Sequence, residues 1–174
     1  MRLYRFSPIA SEEDMVRALE HIHFACSELC KRAFAKYLPV SGNIGIFCHF
    51  EDEYKFLTSV REKLTDEKNN WNRKYFRLYE PIMFSEKMGV PETTYTHLYI
   101  RKPDETHPQV GDADFVLKGE EFAKVKEVSQ SGAVLNGVAT LYRPDLNMIR
   151  LSSPDCDVLP YITDTYMTEK GMRG

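Results

Sequence analysis

The stretch Asn43-Ile44-Gly45-Ile46-Phe47-Cys48-His49-Phe50, followed at once by Glu51-Asp52-Glu53, carries two periodicities that decide the reading of this chain. Residues 43–50 alternate: Ile44, Ile46, Cys48 and Phe50 share one parity, and Asn43, Gly45, Phe47 and His49 share the other. That is the pattern of a strand whose two faces meet different surroundings. The three acids suit the positive end of a helix. Tyr54, Leu57, Val60 and Leu64 then recur every three or four residues and give that helix its buried side.

Toward the N-terminus, residues 2–7 are expected as a short strand, and Ser11 with Asp14 three residues on is a capping pattern that opens a helix. Met15, Leu19, Ile22, Cys26, Leu29, Ala33 and Tyr37 form one stripe on that helix. Its expected length is about 26 residues, or about 39 Å, with Pro39 and Gly42 ending it. Toward the C-terminus, 66–73 with Trp71 is expected as a polar loop, and 74–83 and 94–102 as strands rich in tyrosine and β-branched residues. Residues 112–118 form a further expected strand, and 119–131 a short helix turning Phe122, Val125 and Val128 inward, with Gly132 as its stop. Asn136-Gly137 is a hairpin signal; Arg143 to Asn147 is a second turn, between strands 138–142 and 148–152, and a last strand is expected at 158–162. Strands outnumber helices and several are joined without a crossover helix. The expected class is α+β: a mostly antiparallel sheet with a long N-terminal helix and two shorter helices packed on one face. One domain is expected over 1–170, with 171–174 as a frayed tail.

The chain has 174 residues, 43% of them hydrophobic and 28% charged, enough for one core. Lys+Arg 23 against Asp+Glu 26 gives a net charge of -3, which argues against a long nucleic-acid partner. No apolar run has the length of a membrane span, and Met1 to Phe6 lacks the apolar stretch of a signal peptide, so a cytoplasmic location is expected. Cys26, Cys30, Cys48 and Cys156 lack the spacing of a disulfide framework and are expected as reduced thiols.

Sorting the strands by parity isolates a polar aromatic face. His49 in the first strand, Tyr75, Arg77 and Tyr79 in the second, and Tyr95, His97, Tyr99 and Arg101 in the third all lie opposite the apolar parity. Arginine supplies a planar fork for phosphate or carboxylate, tyrosine a stacking surface with a polar rim, and histidine a proton near neutral pH. The expected ligand is a small anionic molecule or nucleotide; the sequence indicates no particular cofactor. The competing expectation is a non-catalytic interaction or regulatory protein, with that face covered by the Asn136-Gly137 hairpin or by a second subunit. The long helix, with Phe24 on its polar side, could serve a homodimer in the same way.

His49 and His97 are the candidate catalytic pair, one as base and one as acid in phosphoester hydrolysis or a lyase reaction, with Arg77 or Arg101 stabilising the developing charge. The pair resembles the two-histidine phosphoesterases, whose His-x-Thr/Ser motifs sit on two strands of one concave sheet. Here His49-Phe50-Glu51 and His97-Leu98-Tyr99 have no serine or threonine hydroxyl at the third place. His23, Cys26, Cys30 and Cys48 are a candidate zinc set for a metal-stabilised module. Asp112 with Asp114, and Asp155 with Asp157, are carboxylate pairs two residues apart that could hold Mg²⁺ or Ca²⁺. His107 belongs to a long loop with the character of a lid.

Overall fold

A computed structural model describes residues 4–66 and 74–170. The element order is α1 (Glu12–Phe34), β1 (Val40–Phe47), α2 (Glu51–Leu64), β2 (Thr65–Asp66), β3 (Phe76–Phe84), β4 (Thr93–Arg101), β5 (Gly111–Val116), α3 (Gly119–Ser129), β6 (Val134–Leu135), β7 (Val138–Arg143), β8 (Met148–Ser152), β9 (Val158–Thr163) and α4 (Met167–Lys170). The strands form one nine-stranded sheet in the order β2-β3-β4-β1-β5-β9-β8-β7-β6. The class is α+β, as the alternation of segments implied, but the sheet is mixed. β1 runs parallel to β4 and β5 parallel to β9, and the remaining neighbours are antiparallel. Sequence periodicity carries no information on strand direction, because an alternating strand looks the same in either orientation.

The acidic first turn and the Ser11 hydroxyl, which accepts from the Asp14 amide at 3.1 Å, open α1. It stops at Phe34 because Ala35 takes a left-handed conformation, φ 58°, earlier than Pro39 requires. Its stripe of Met15, Leu19, Ile22, Cys26, Leu29 and Cys30 packs with Leu57 and Val60 of α2 and Phe122 of α3 into one apolar cluster. On the sheet that cluster takes in Ile44, Ile46, Leu98, Ile100, Ala113, Phe115, Ile149 and Ile162. Three helices thus share one face of the sheet. Burying a single such side chain contributes about 1.5–3 kcal/mol, so this layer carries most of the stability.

The Asn136-Gly137 turn has positive φ at both residues, 49° and 79°, as a two-residue hairpin between β6 and β7 requires. The Asn136 side-chain amide donates to the Ala33 carbonyl at the end of α1, so the hairpin lies with the helices and not across the opposite sheet face. The expected strand over 2–7 does not form within the described residues: Tyr4 to Phe6 is a turn closed by the Ser7 amide donating to the Tyr4 carbonyl. Trp71 and the 67–73 portion of the expected polar loop, with the tail 171–174, lie outside the described residues. Among the described residues no helix is long and apolar enough to cross a membrane.

Candidate functional site

The helix-free face is assembled by register. Arg77 lies beside His97, His97 beside Asn43, Asp114 beside Tyr161, and Tyr161 beside Arg150. Asn43 Nδ2 donates to Asp114 Oδ2 at 3.4 Å and joins the two halves of this row. The next row runs Tyr99, Gly45, Asp112, Leu159, and beyond it Phe47 pairs with Arg101. Phe47, Met148, Leu159 and Tyr161, with Tyr99 against them, form a small second apolar cluster on this side.

Two adjoining cavities open where β1 and β4 end. The smaller, about 250 Å³, is lined by Lys74, Tyr75, Arg101, His107, Arg143 and Tyr161 among others, with Asp112 in its wall. The larger, about 670 Å³, brings Arg61, Lys102, Phe76 and Tyr99 around the same Lys74 and Arg101. Arg101 donates from Nη2 to Asp104 Oδ2 at 2.8 Å, and its guanidinium lies 5.4 Å from the Phe47 ring, while its buried Nε has no acceptor. Arg61 is stacked 3.7 Å over the Phe76 ring, and its buried Nε is likewise without an acceptor. Hydrogen bonds from Arg101 and Thr106 hold the Asp104 carboxyl below the usual carboxylate range. Burial pushes the Tyr75 and Tyr99 phenols up, and the Tyr161 phenol to about 12, so all three are neutral donors at pH 7.

Asp112 is the least expected member. It is 5% exposed, and its Oδ1 has no hydrogen-bond partner. Desolvation, and then the charge of Asp114, push its carboxyl well above the usual range against the pull of Lys74 and Arg101. Gly45 makes room for it: a Cβ there would stand 2.3 Å from Asp112 Oδ1 and 3.0 Å from the Tyr99 ring.

Of the residues expected on this face, Tyr75, His97, Tyr99 and Arg101 are there. Tyr75 and Tyr99 meet edge to face at 5.6 Å, and His97 sits beneath Arg77, its Nδ1 2.9 Å from Thr96 Oγ1. Tyr79 is 66% exposed, outside both cavities, and Arg77 is exposed at the sheet margin. Tyr95 is a correction: it is fully buried among the helices, where its hydroxyl meets His23 Nδ1 at 2.9 Å. The alternation slips here because the β3–β4 register shifts between Arg77 and Ile82, and Gly42 beside it in β1 takes φ 119°.

His49 is a second correction. β1 ends at Phe47, and His97 pairs with Asn43, so the two histidines stand six positions apart along the sheet, about 20 Å at ~3.3 Å per residue. The His49 ring is engaged elsewhere, Nδ1 with Ser7 Oγ at 2.6 Å and Nε2 with the Gln109 carbonyl at 3.0 Å. It belongs to a network around Glu53, whose carboxylate accepts from Ser7 Oγ, the Ile9 amide and the His49 amide at 2.7, 3.0 and 2.7 Å. Glu53 is 1% exposed and ties the N-terminal segment to the start of α2. Glu53→Ala removes the acceptor of one buried and two half-buried donors, and an expected loss of about 2–3 kcal/mol is measurable by urea denaturation. A variant as stable as the parent would show that the network is solvated.

The zinc set does not assemble. Among the described residues no three His, Cys, Asp or Glu side chains are grouped to hold a metal. Burial pushes the thiols of Cys26, Cys30 and Cys48 up, and His23 is bonded to Tyr95 and stacked on Phe84. Asp155 and Asp157 diverge, the first paired with Arg32 at the surface and the second buried against Arg5 and His21. Phe24 packs within the chain, edge to face with Phe84 and under the Lys87 ammonium. His107 is held within its loop by Asp104 and Thr106 at Nδ1, and its ring meets Phe47 of β1 edge to face.

Lys74, Arg61, Arg143 and Tyr161 escaped the sequence reading. Arg143 is the last residue of β7, and Tyr161 shares its parity in β9 only with Leu159 and Thr163, so neither stood out as part of a basic aromatic face. No protein-family description and no curated protein matches the chain. The fold does recur: the chain is similar to a solved structure from structural genomics, protein EC4020, with a TM-score of 0.60 at 17% identity, over 99% of this chain and 98% of that one.

Proposed function

We propose that the chain binds a small organic anion in the two cavities that share Arg101 and Lys74. One observation carries this reading: Arg101, with a buried Nε that has no acceptor, lines both spaces at once, and Arg61, Lys102 and Arg143 surround it. A guanidinium held on an aromatic ring with an unused donor is poised for a carboxylate or phosphate oxygen. Tyr75 and Tyr99 supply ring surface beside it. Phosphoester chemistry shared between His49 and His97 has no support in the register, so the reading is of binding.

Wild-type protein is expected to gain melting temperature with millimolar phosphate, nucleoside phosphates or simple carboxylates, by mass action on the folded state. Arg101→Gln should remove that gain, read as the difference in melting temperature with and without the anion, since the variant also loses the contacts of Arg101 with Asp104, His107 and the Phe47 ring. If no anion raises the wild-type melting temperature, or if Arg101→Gln responds equally, the reading is wrong.

A further inference from the structure

An anion explains the guanidinium groups but not Asp112. A carboxylate that is 95% buried by area is normally hydrogen-bonded on both oxygens or paired with a cation. Asp112 Oδ1 has no hydrogen-bond partner, and Asp112 stands in the wall of a cavity large enough for a small ligand. The fold keeps the arrangement with a glycine, since any Cβ at position 45 would strike that oxygen. Asp114 lies on the same face two residues on and adds negative charge to the same region. The cavity therefore holds the Asp112 carboxyl in its wall with Lys74, Arg101 and the Arg143–Asp145 pair around it.

Resting on the anion-binding reading above, we propose that the ligand is a zwitterion of the amino-acid class, its carboxylate held by Arg101 and Arg143 and its ammonium seated on Asp112 Oδ1. Arg143 already holds Asp145 through a bidentate contact, at 3.2 and 2.9 Å, and so presents its guanidinium at the cavity rim. The ammonium supplies the hydrogen bonds that the orphaned Asp112 oxygen lacks and a positive charge beside it. The neutral phenols of Tyr75 and Tyr161 border the same space, as does His107. A ligand without the amine leaves Asp112 Oδ1 without a hydrogen-bond partner and gains nothing there.

The test uses matched pairs that differ only in the amine: L-glutamate with glutarate, L-leucine with 4-methylpentanoate, and L-phenylalanine with 3-phenylpropionate. Binding to the full chain is measured by calorimetry and thermal shift at pH 7. For at least one pair the amine-bearing member is expected to bind about tenfold or more tightly, and Asp112→Asn, which keeps the shape and removes the ionisable oxygen, should bring the two members level. If both members bind the wild-type protein equally, the zwitterion assignment is overturned and the anion reading stands. If the preference for the amine survives in Asp112→Asn, the ammonium sits elsewhere and the assignment is likewise overturned. If neither member of any pair binds, the zwitterion assignment is overturned, and the anion reading is then decided by phosphate and the nucleoside phosphates. The comparison within wild-type protein decides the matter even where the variant folds poorly.

Discussion

Gly111→Ala should destabilise the fold by about 3 kcal/mol, at the upper end of over-packing costs, and lower the melting temperature by about 6–12 °C for a chain of this size. A Cβ at position 111 would lie 2.1 Å from the Gly45 carbonyl oxygen and 2.6 Å from Ile22 Cδ1. The first contact is with backbone held in the β1–β5 ladder, and the second with a fully buried side chain of α1. Neither yields cheaply: relieving them means lifting α1 off the sheet or breaking the pairing of Gly111 with Ile46. Gly45→Ala is the informative contrast. Its nearest obstacle is the Asp112 carboxylate rather than backbone, so the fold should survive better while the small cavity loses its acid. Equal denaturation midpoints for Gly111→Ala and wild type would show that helix and sheet do not approach as closely as the geometry requires.

The second large effect is acid sensitivity from two buried histidines. Burial lowers the His23 imidazole to about 4, and burial with the charge of Arg77 does the same for His97. Each stays neutral in the folded protein while the unfolded chain protonates at its ordinary value. Between about pH 6.5 and pH 4 the unfolded state therefore binds more protons, and stability falls as pH falls. The loss at pH 4.5 is about 2–3 kcal/mol per histidine. Burial also lowers His49 and His107, which add losses of the same sign. Asp112 works in the opposite direction. Its carboxyl is raised on folding, so the folded state binds the extra proton and stability falls as pH rises above the ordinary carboxylate value near 4. The histidine effect is therefore best read in the Asp112→Asn background, where that opposing slope is gone. Urea denaturation there should show about 5 kcal/mol less stability at pH 4.5 than at pH 7, and adding His97→Gln should recover about half. A flat profile in that background would mean that His23 and His97 are hydrated in the folded state.

The sorting of Tyr75, His97, Tyr99 and Arg101 onto one face was legible because side-chain direction in a strand depends only on parity. Tyr95 obeyed the same parity and went to the other side, since the slip that moved it arises from the pairing of β3 with β4 and from Gly42 in β1, none of which is local to its own strand. His49 failed for a related reason: it shares parity with Phe47, but β1 has ended before it. The Asp112–Asp114 pair was visible as a spacing. Its meaning came from burial, because the same two carboxylates on an exposed strand end would be solvated and unremarkable.

By itself the sequence determined the places of α1, α2 and α3 and of the longer strands, the capped start of α1, the Asn136-Gly137 turn and the α+β class. These follow from short-range causes: the periods of 3.6 and 2, the hydroxyl that satisfies a free amide, and the glycine that accepts positive φ. Tertiary structure alone decided the strand order, the two parallel pairings, the joining of Arg101 to Arg61 and Arg143, and the burial of Asp112 over Gly45. These depend on contacts between residues far apart in the chain, where burial rather than residue type decides whether a carboxyl is charged and whether a guanidinium still has a hydrogen bond to give.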